Sequence, residues 1–276
     1  MIAIPESAPG QPAARGVALV RMPVAPVHAE PRVSSAQTSQ ALFGRMVSLH
    51  GAEGDWHRAR TSPDGYEGWV HAGYLTAVAL APDDASGLEH ALIADTDLRV
   101  SLGATVRAGG RTLRLPLGAW VAADAAPLAG ELVPLGELPV RFPREGAAAV
   151  ATATRYFEST SYQWGGVTPW GADCSGLVQS VYALHGVDLP RDAWQQALAG
   201  ADAGLDLRAH RAGDLLFFSE REDRRVTHVG LATGDRAMCH LALGRGGWAV
   251  DALAEPEDAY AERLAGRLVA ARRVAD

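Results

Sequence analysis

The 276-residue chain contains no asparagine and no lysine. Without asparagine, a Cys-His-Asn catalytic arrangement cannot be built from it. Without lysine, side-chain amine nucleophiles and Schiff-base chemistry are excluded as well. Only two cysteines occur, Cys174 and Cys239, which is no disulfide framework and fits a reducing compartment. No run of about 18 apolar residues exists, so no membrane-spanning helix is expected. The opening Met1-Ile2-Ala3-Ile4-Pro5-Glu6 lacks a basic n-region and a long apolar h-region, so no export signal and a cytoplasmic location are expected. The net charge of −7 comes with no block of basic residues, which gives no reason to expect nucleic acid. What remains has the composition of an ordinary globular protein, and the length suggests two or three domains.

The most informative stretch present is Asp173-Cys174-Ser175-Gly176. Past it, Leu177, Val178, Val181 and Tyr182 recur at helical spacing until Gly186, so Cys174 stands at the start of a helix. The glycine-rich run Ser161-Tyr162-Gln163-Trp164-Gly165-Gly166 leads into it. A thiol in a first helical turn faces unpaired N–H groups and the positive end of the dipole. Such sites lower a cysteine pKa from about 8.5 to roughly 3.5–7.5, so a thiolate is expected here.

A cysteine acting on an amide needs a base, and usually a third group to orient that base. His228 lies in the strand-like run Arg225–Leu231 and His240 in Ala237–Ala242, with the turn Thr233-Gly234-Asp235-Arg236 between them. The two read as adjacent antiparallel strands, with His228 as base and His240 as its orienter. With asparagine absent, that third member has to be His, Gln, Asp or Glu. Cys239 neighbours His240 on a strand and therefore points to the opposite face, into the core. The same alternation, with no Cys-x-x-Cys pair, argues against zinc held by Cys174, His228, Cys239 and His240. No metal or organic cofactor is expected. The other seven histidines read as surface or local structure.

Five ordered motifs resemble the NlpC/P60 cysteine peptidases, which cleave bacterial cell-wall stem peptides. They are Tyr162-Gln163-Trp164-Gly165-Gly166, Asp173-Cys174-Ser175-Gly176-Leu177, Leu189-Pro190-Arg191-Asp192 with Gln195 and Gln196, Ala212-Gly213-Asp214-Leu215, and Thr227-His228-Val229-Gly230. The resemblance implies an α+β, papain-like catalytic domain over residues 144–276. It places nucleophile, base and orienter on Cys174, His228 and His240, and puts the Tyr162 hydroxyl beside the nucleophile, within reach of substrate or oxyanion.

Residues 15–80 read as short strands, Val17–Val20, Leu42–Leu49, Trp56–Ala59 and Gly68–Val70, between glycine turns. Gly54-Asp55-Trp56 followed by Asp64-Gly65-Tyr66-Glu67-Gly68-Trp69-Val70 resembles a bacterial SH3 domain. A similar texture over Leu98–Val121 suggests a second all-β SH3-like barrel. The expected domains are therefore 1–80, 81–143 and 144–276, with linkers near Ala81–Asp84 and Phe142–Glu145. The alanine- and arginine-rich stretch Glu257–Arg272 reads as a closing helix.

Two SH3-like domains before such a peptidase resemble a subgroup that trims released muropeptides inside the cell. That resemblance implies a stem tripeptide or tetrapeptide substrate with a free N-terminal L-Ala, cut at the γ-D-glutamyl–diamino acid bond. A free amine calls for carboxylates. Asp173, Ser175 and Asp192, with Glu30 and Tyr66 of the first SH3-like domain, are the substrate-binding residues implied. Asp173 and Asp192 also suit helix N-caps. Two alternatives stay open: an exported hydrolase of intact wall, and a non-catalytic wall-binding protein.

Overall fold

The computed structural model describes residues 15–78 and 98–276, and the chain divides into two compact units, residues 1–137 and 138–276. In the first, strands β1 (Gly16–Val20), β2 (Val24–His28), β3 (Gln37–Leu42), β4 (Met46–Glu53), β5 (Trp56–Thr61), β6 (Glu67–His71) and β7 (Leu75–Val78) form one sheet. Its order is β3-β2-β6-β5-β4-β1-β7. Residues of β5 alternate strictly, His57, Ala59 and Thr61 pointing inward, as period-two geometry requires. Val27, Val47, Val70 and Leu75 fill the core they face.

The expected strand Leu42–Leu49 is broken at Phe43-Gly44-Arg45. Gly44 adopts φ +75°, and a Cβ there would lie 2.2 Å from the Trp120 carbonyl oxygen. The backbone runs too close to its neighbour for any other residue. That neighbour belongs to a second group of strands: β8 (Arg99–Leu102), β9 (Thr105–Ala108), β10 (Arg111–Arg114), β11 (Leu117–Val121), β12 (Pro127–Ala129) and β13 (Leu132–Pro134). They form two three-stranded sheets, β10-β9-β12 and β11-β8-β13. The Trp120 N–H donates to the Phe43 carbonyl at 2.9 Å, and Phe43 is buried among Val106, Leu115 and Val121. One apolar side chain thus plugs the first strand group into the core of the second. The expected linker at Ala81–Asp84 lies outside the described residues.

The second unit contains helix α1 (Gly146–Phe157), the short pair β14 (Val167–Thr168) and β15 (Gly171–Ala172), and helices α2 (Cys174–Leu184) and α3 (Ala193–Gln196). Strands β16 (Ala201–Asp202), β17 (Leu215–Phe218), β18 (His228–Ala232), β19 (Ala237–Ala242) and β20 (Gly247–Ala252) follow, then helix α4 (Ala259–Ala265) and strand β21 (Leu268–Arg273). The six-stranded sheet runs β16-β21-β17-β18-β19-β20, every pair antiparallel. Helix α2 packs on β18 and α1, with Leu177, Val178, Val181 and Tyr182 fully buried. It ends where expected, at Gly186 with φ +69°. The expected closing helix is shorter than its sequence suggests: it stops at Ala265, and Leu268–Arg273 pairs with β17 and β16 instead. Helix propensity favours the Ala-Arg stretch, but two-sided strand pairing outweighs a preference of only tenths of a kcal/mol, about 0.5 per residue. Among the described residues no helix is long and apolar enough to cross a membrane.

Candidate active site

Asp173 caps helix α2 as its sequence position suggests, accepting from the Gly176 N–H at 2.8 Å, in extended conformation itself. Such a cap is worth about 0.5–2 kcal/mol. The glycine at Gly176 is required by proximity: a Cβ there would lie 2.1 Å from the Gly166 carbonyl oxygen. The glycine-rich loop and the first turn of α2 are therefore pressed backbone to backbone. Gly165 N–H also donates to Asp173, at 2.9 Å, tying the loop to the cap.

Behind the cap lies a buried ion pair. Arg191, 2% exposed, donates to Asp173 Oδ1 at 3.0 Å and Oδ2 at 2.7 Å, a bidentate fork. It also donates to Ser175 Oγ at 2.9 Å, and Ser175 Oγ donates onward to Asp173. Gln196 of α3 donates to the Ser175 and Pro190 carbonyls. The first turn of α2 is thus gripped from behind by the loop carrying Leu189–Asp192.

The two histidines lie on one face of the sheet. Ala232 of β18 pairs with Met238 of β19, which pairs with Asp251 of β20. Counting by twos places His228, His240 and Asp251 on that same face. His228 Nε2 is 2.7 Å from His240 Nδ1, and His240 Nε2 is 2.8 Å from Asp251 Oδ2. Both partners of His240 are in place, although its ring is wholly buried. Next to His228, the backbone of Val229 hydrogen-bonds the Cys174 thiol, as does that of Ser175. Cys239 points away from this face and is fully buried.

The thiol departs from the expectation of a lowered pKa. Burial pushes Cys174 up to about 12, the Asp173 carboxylate pushing the same way against the Val229 and Ser175 bonds and the Arg191 charge. Exclusion of water outweighs the helix terminus, one of whose free N–H groups, that of Gly176, is already taken by Asp173. Burial, then the His240 ring, push His228 down to about 3, with Asp251 opposing. Burial thus disfavours the charged form of both groups. Tyr162 shares this environment: burial raises its hydroxyl pKa, and Cys174 and Asp173 add to that. Its backbone is fixed by a bond from its N–H to the Gly246 carbonyl at 3.0 Å.

The structure therefore brings Cys174, His228, His240, Tyr162, Asp173 and Ser175 together. Asp173 and Ser175 spend their polar atoms on Arg191 and the helix cap. Asp192, in the N-cap position of α3, makes no capping bond. It accepts only from the Trp194 indole, at 3.3 Å, among its side-chain bonds described. Glu30 and Tyr66 belong to the other unit. There Glu30 pairs with exposed Arg32 at 2.7 Å, and Tyr66 packs against the first core. Among the described residues no cluster of three or more His, Cys, Asp or Glu side chains could hold a metal ion. Sequence reasoning missed Asp251 and the structural role of Arg191. A lone acid within the otherwise apolar run Gly247–Ala252 was the available signal for the first.

Comparison with known proteins follows the same division. Residues 159–265 match the NlpC/P60 family and residues 23–76 the bacterial SH3 domain, so the chain carries an NlpC/P60 domain with a bacterial SH3 domain ahead of it. Among curated proteins it is 35% identical over 128 residues to the gamma-D-glutamyl-L-lysine dipeptidyl-peptidase of Bacillus subtilis (strain 168), covering 46% of this chain and 42% of that protein. It is 36% identical over 122 residues to dipeptidyl-peptidase 6 of Lysinibacillus sphaericus, covering 44% of this chain and 41% of that one. The matched part thus spans under half the length of these relatives. A crystal structure of an NlpC/P60 family protein from Bacillus cereus ATCC 10987 superposes with TM-score 0.73 over 95% of this chain and all of that one, at 18% identity. That likeness is one of fold.

Proposed function

We propose that the chain is a cysteine peptidase that cuts the γ-D-glutamyl–L-diamino acid bond of peptidoglycan stem peptides carrying a free N-terminal L-Ala, releasing L-Ala-γ-D-Glu. The observation that carries this reading is a thiol at a helix start beside a His–His–Asp hydrogen-bond chain. The names of the relatives, gamma-D-glutamyl-L-lysine dipeptidyl-peptidase and dipeptidyl-peptidase 6, support the bond assigned.

His228 takes the Cys174 proton as the thiol sulfur attacks the γ-carbonyl carbon of D-Glu. Burial disfavours the charged form of both groups, so proton transfer and attack are written as one coupled step. The tetrahedral oxyanion is met by the Cys174 N–H and the Tyr162 hydroxyl. His228 returns the proton to the departing amine of the diamino acid, leaving a thioester. Water, deprotonated by His228, then releases the dipeptide and restores the thiol. Asp192 is the carboxylate with capacity to spare for the free L-Ala amine. Asp173 and Ser175 shape the same pocket through the loop and helix turn they hold. The site of action is the cytoplasm, on released muropeptides rather than intact wall.

The test is mass spectrometry of products from L-Ala-γ-D-Glu-diaminopimelate, its lysine counterpart, their N-acylated forms, and purified sacculi, with wild type and Cys174→Ala. Cleavage confined to free-amine peptides and lost in the variant is expected. Cleavage of sacculi or acylated peptides overturns the free-amine specificity in favour of a wall hydrolase. Cleavage of nothing overturns the peptidase reading.

A further inference from the structure

Asp251 is buried at 5% exposure at the far end of the histidine pair, and Arg245 holds it from the other side. The Arg245 guanidinium donates to Asp251 Oδ1 at 2.5 Å. It also bridges to Asp258, at 2.7 and 3.0 Å, while Asp258 caps helix α4 through the Ala261 N–H. The Tyr260 ring covers the guanidinium at 4.4 Å. Arg245 Nε also lies 3.4 Å from Asp251 Oδ2, the oxygen that His240 meets.

We propose that Asp251, aimed by Arg245, is a positioning residue that sets the tautomers of both imidazoles and so makes His228 a base toward Cys174. The inference rests on the peptidase reading for its purpose, not for its geometry. An ionised carboxylate only accepts, so His240 carries its proton on Nε2 and offers Nδ1 as an acceptor. His228, 2.7 Å away through Nε2, must then donate that proton to His240. Its remaining nitrogen, Nδ1, keeps a lone pair, and that lone pair takes the thiol proton. Burial alone would raise the Asp251 pKa, but hydrogen bonds from His240 and Arg245 outweigh it, and the carboxyl stays ionised.

An Asp251→Asn substitution nearly preserves shape and inverts this logic. Arg245 can only donate, so it captures the amide oxygen and turns the NH2 group toward His240 Nε2. That nitrogen then has to accept, the proton moves to Nδ1, and His228 is left protonated on Nδ1 with nothing to offer the thiol.

The experiment is long-range proton–nitrogen correlation NMR on 15N-histidine-labelled full chain, with the iodoacetamide alkylation rate of Cys174 at pH 7 read by peptide mass spectrometry. In wild type His228 and His240 are both expected as Nε2–H tautomers. In Asp251→Asn both are expected as Nδ1–H, with alkylation slowed about 10²-fold or more, the scale of a lost general base. A wild-type His228 found as Nδ1–H overturns the proposal, even if the variant fails to fold. So does a folded variant with unchanged tautomers and rate. A wild type that cleaves no stem peptide, but shows these tautomers and this Asp251 dependence, refutes the peptidase reading and leaves the relay standing.

Discussion

Two histidines, one in each unit, are buried almost equally and treated oppositely. His57 of β5, 2% exposed, has no hydrogen-bond partner on either ring nitrogen. His240 of β19, 0% exposed, has a partner at both, 2.7 and 2.8 Å away. The first is an imidazole used as a core filler, its pKa lowered mainly by burial and by His71. The second is an imidazole whose two directions are both specified. The ion pairs divide the same way: Glu67 of the N-terminal unit meets Arg58 and Arg60 in the open, whereas Asp173 meets Arg191 out of water. Burial of a polar group costs about 1–3 kcal/mol when unpaired. In the second unit His228, His240 and Asp251 are hydrogen-bonded in series, and Asp173 is paired with Arg191 out of water.

The sharpest way to break this comparison is kinetic. His240→Ala is expected to lower kcat on the free-amine stem peptide by about 10²–10⁴-fold, while His57→Phe leaves it unchanged. Equal losses in the two variants would mean that pairing does not distinguish them. Next in size, Arg191→Met is expected to destabilise the second unit by about 3–5 kcal/mol, since it strands a buried carboxylate. Arg58→Met is expected to shift stability by less than about 1 kcal/mol. Urea unfolding of the full chain reads both. His57→Phe is expected to stabilise its unit by about 1–3 kcal/mol by removing an unsatisfied group, and a loss of stability there would show that the ring has a partner after all.

A further expectation concerns pH dependence. His57, His185 and His228 all have folded pKa values below the ordinary 6.5, so below 6.5 the unfolded chain binds more protons than the folded one. Stability is therefore expected to fall as pH drops from 6.5 toward about 3, the folded value for His228. Both thiols are raised from 9 to about 12, so the unfolded chain loses protons first, and stability falls again as pH rises above 9. Urea midpoints across pH should show a plateau between these limbs, and Cys174→Ser should flatten part of the alkaline one. An unaltered alkaline limb in that variant would place the titrating groups elsewhere.

Much of this site was legible in the sequence because its signals are local. A capping Asp, a thiol, a small residue and a glycine in four consecutive positions define a helix start. Two histidines twelve positions apart around a Thr-Gly-Asp-Arg turn define a hairpin. Asp251 was not legible, since only the β19–β20 register, Met238 against Asp251, puts it under His240. The thiol pKa ran opposite to expectation because helix position is a sequence property and exclusion of water is not. Arg191 read as part of a loop motif, and nothing in Leu189-Pro190-Arg191-Asp192 announces that its guanidinium turns inward to Asp173. Phe43 likewise read as strand interior, when a glycine turn sends it into the neighbouring core.

Strand β21 sits between β16 and β17 although it is made after both. During synthesis, at about 5–20 residues per second, Leu215–Phe218 and the histidine hairpin emerge while their neighbour is still unmade. For some fifty residues of elongation the wholly apolar β17 offers an open edge of the kind that recruits foreign strands. Cys174, His228 and His240 are thus translated well before the sheet that aligns them can close. A message cut short between codons 252 and 267 yields a chain with Cys174, His228, His240 and Asp251 all present and the sheet holding them unfinished.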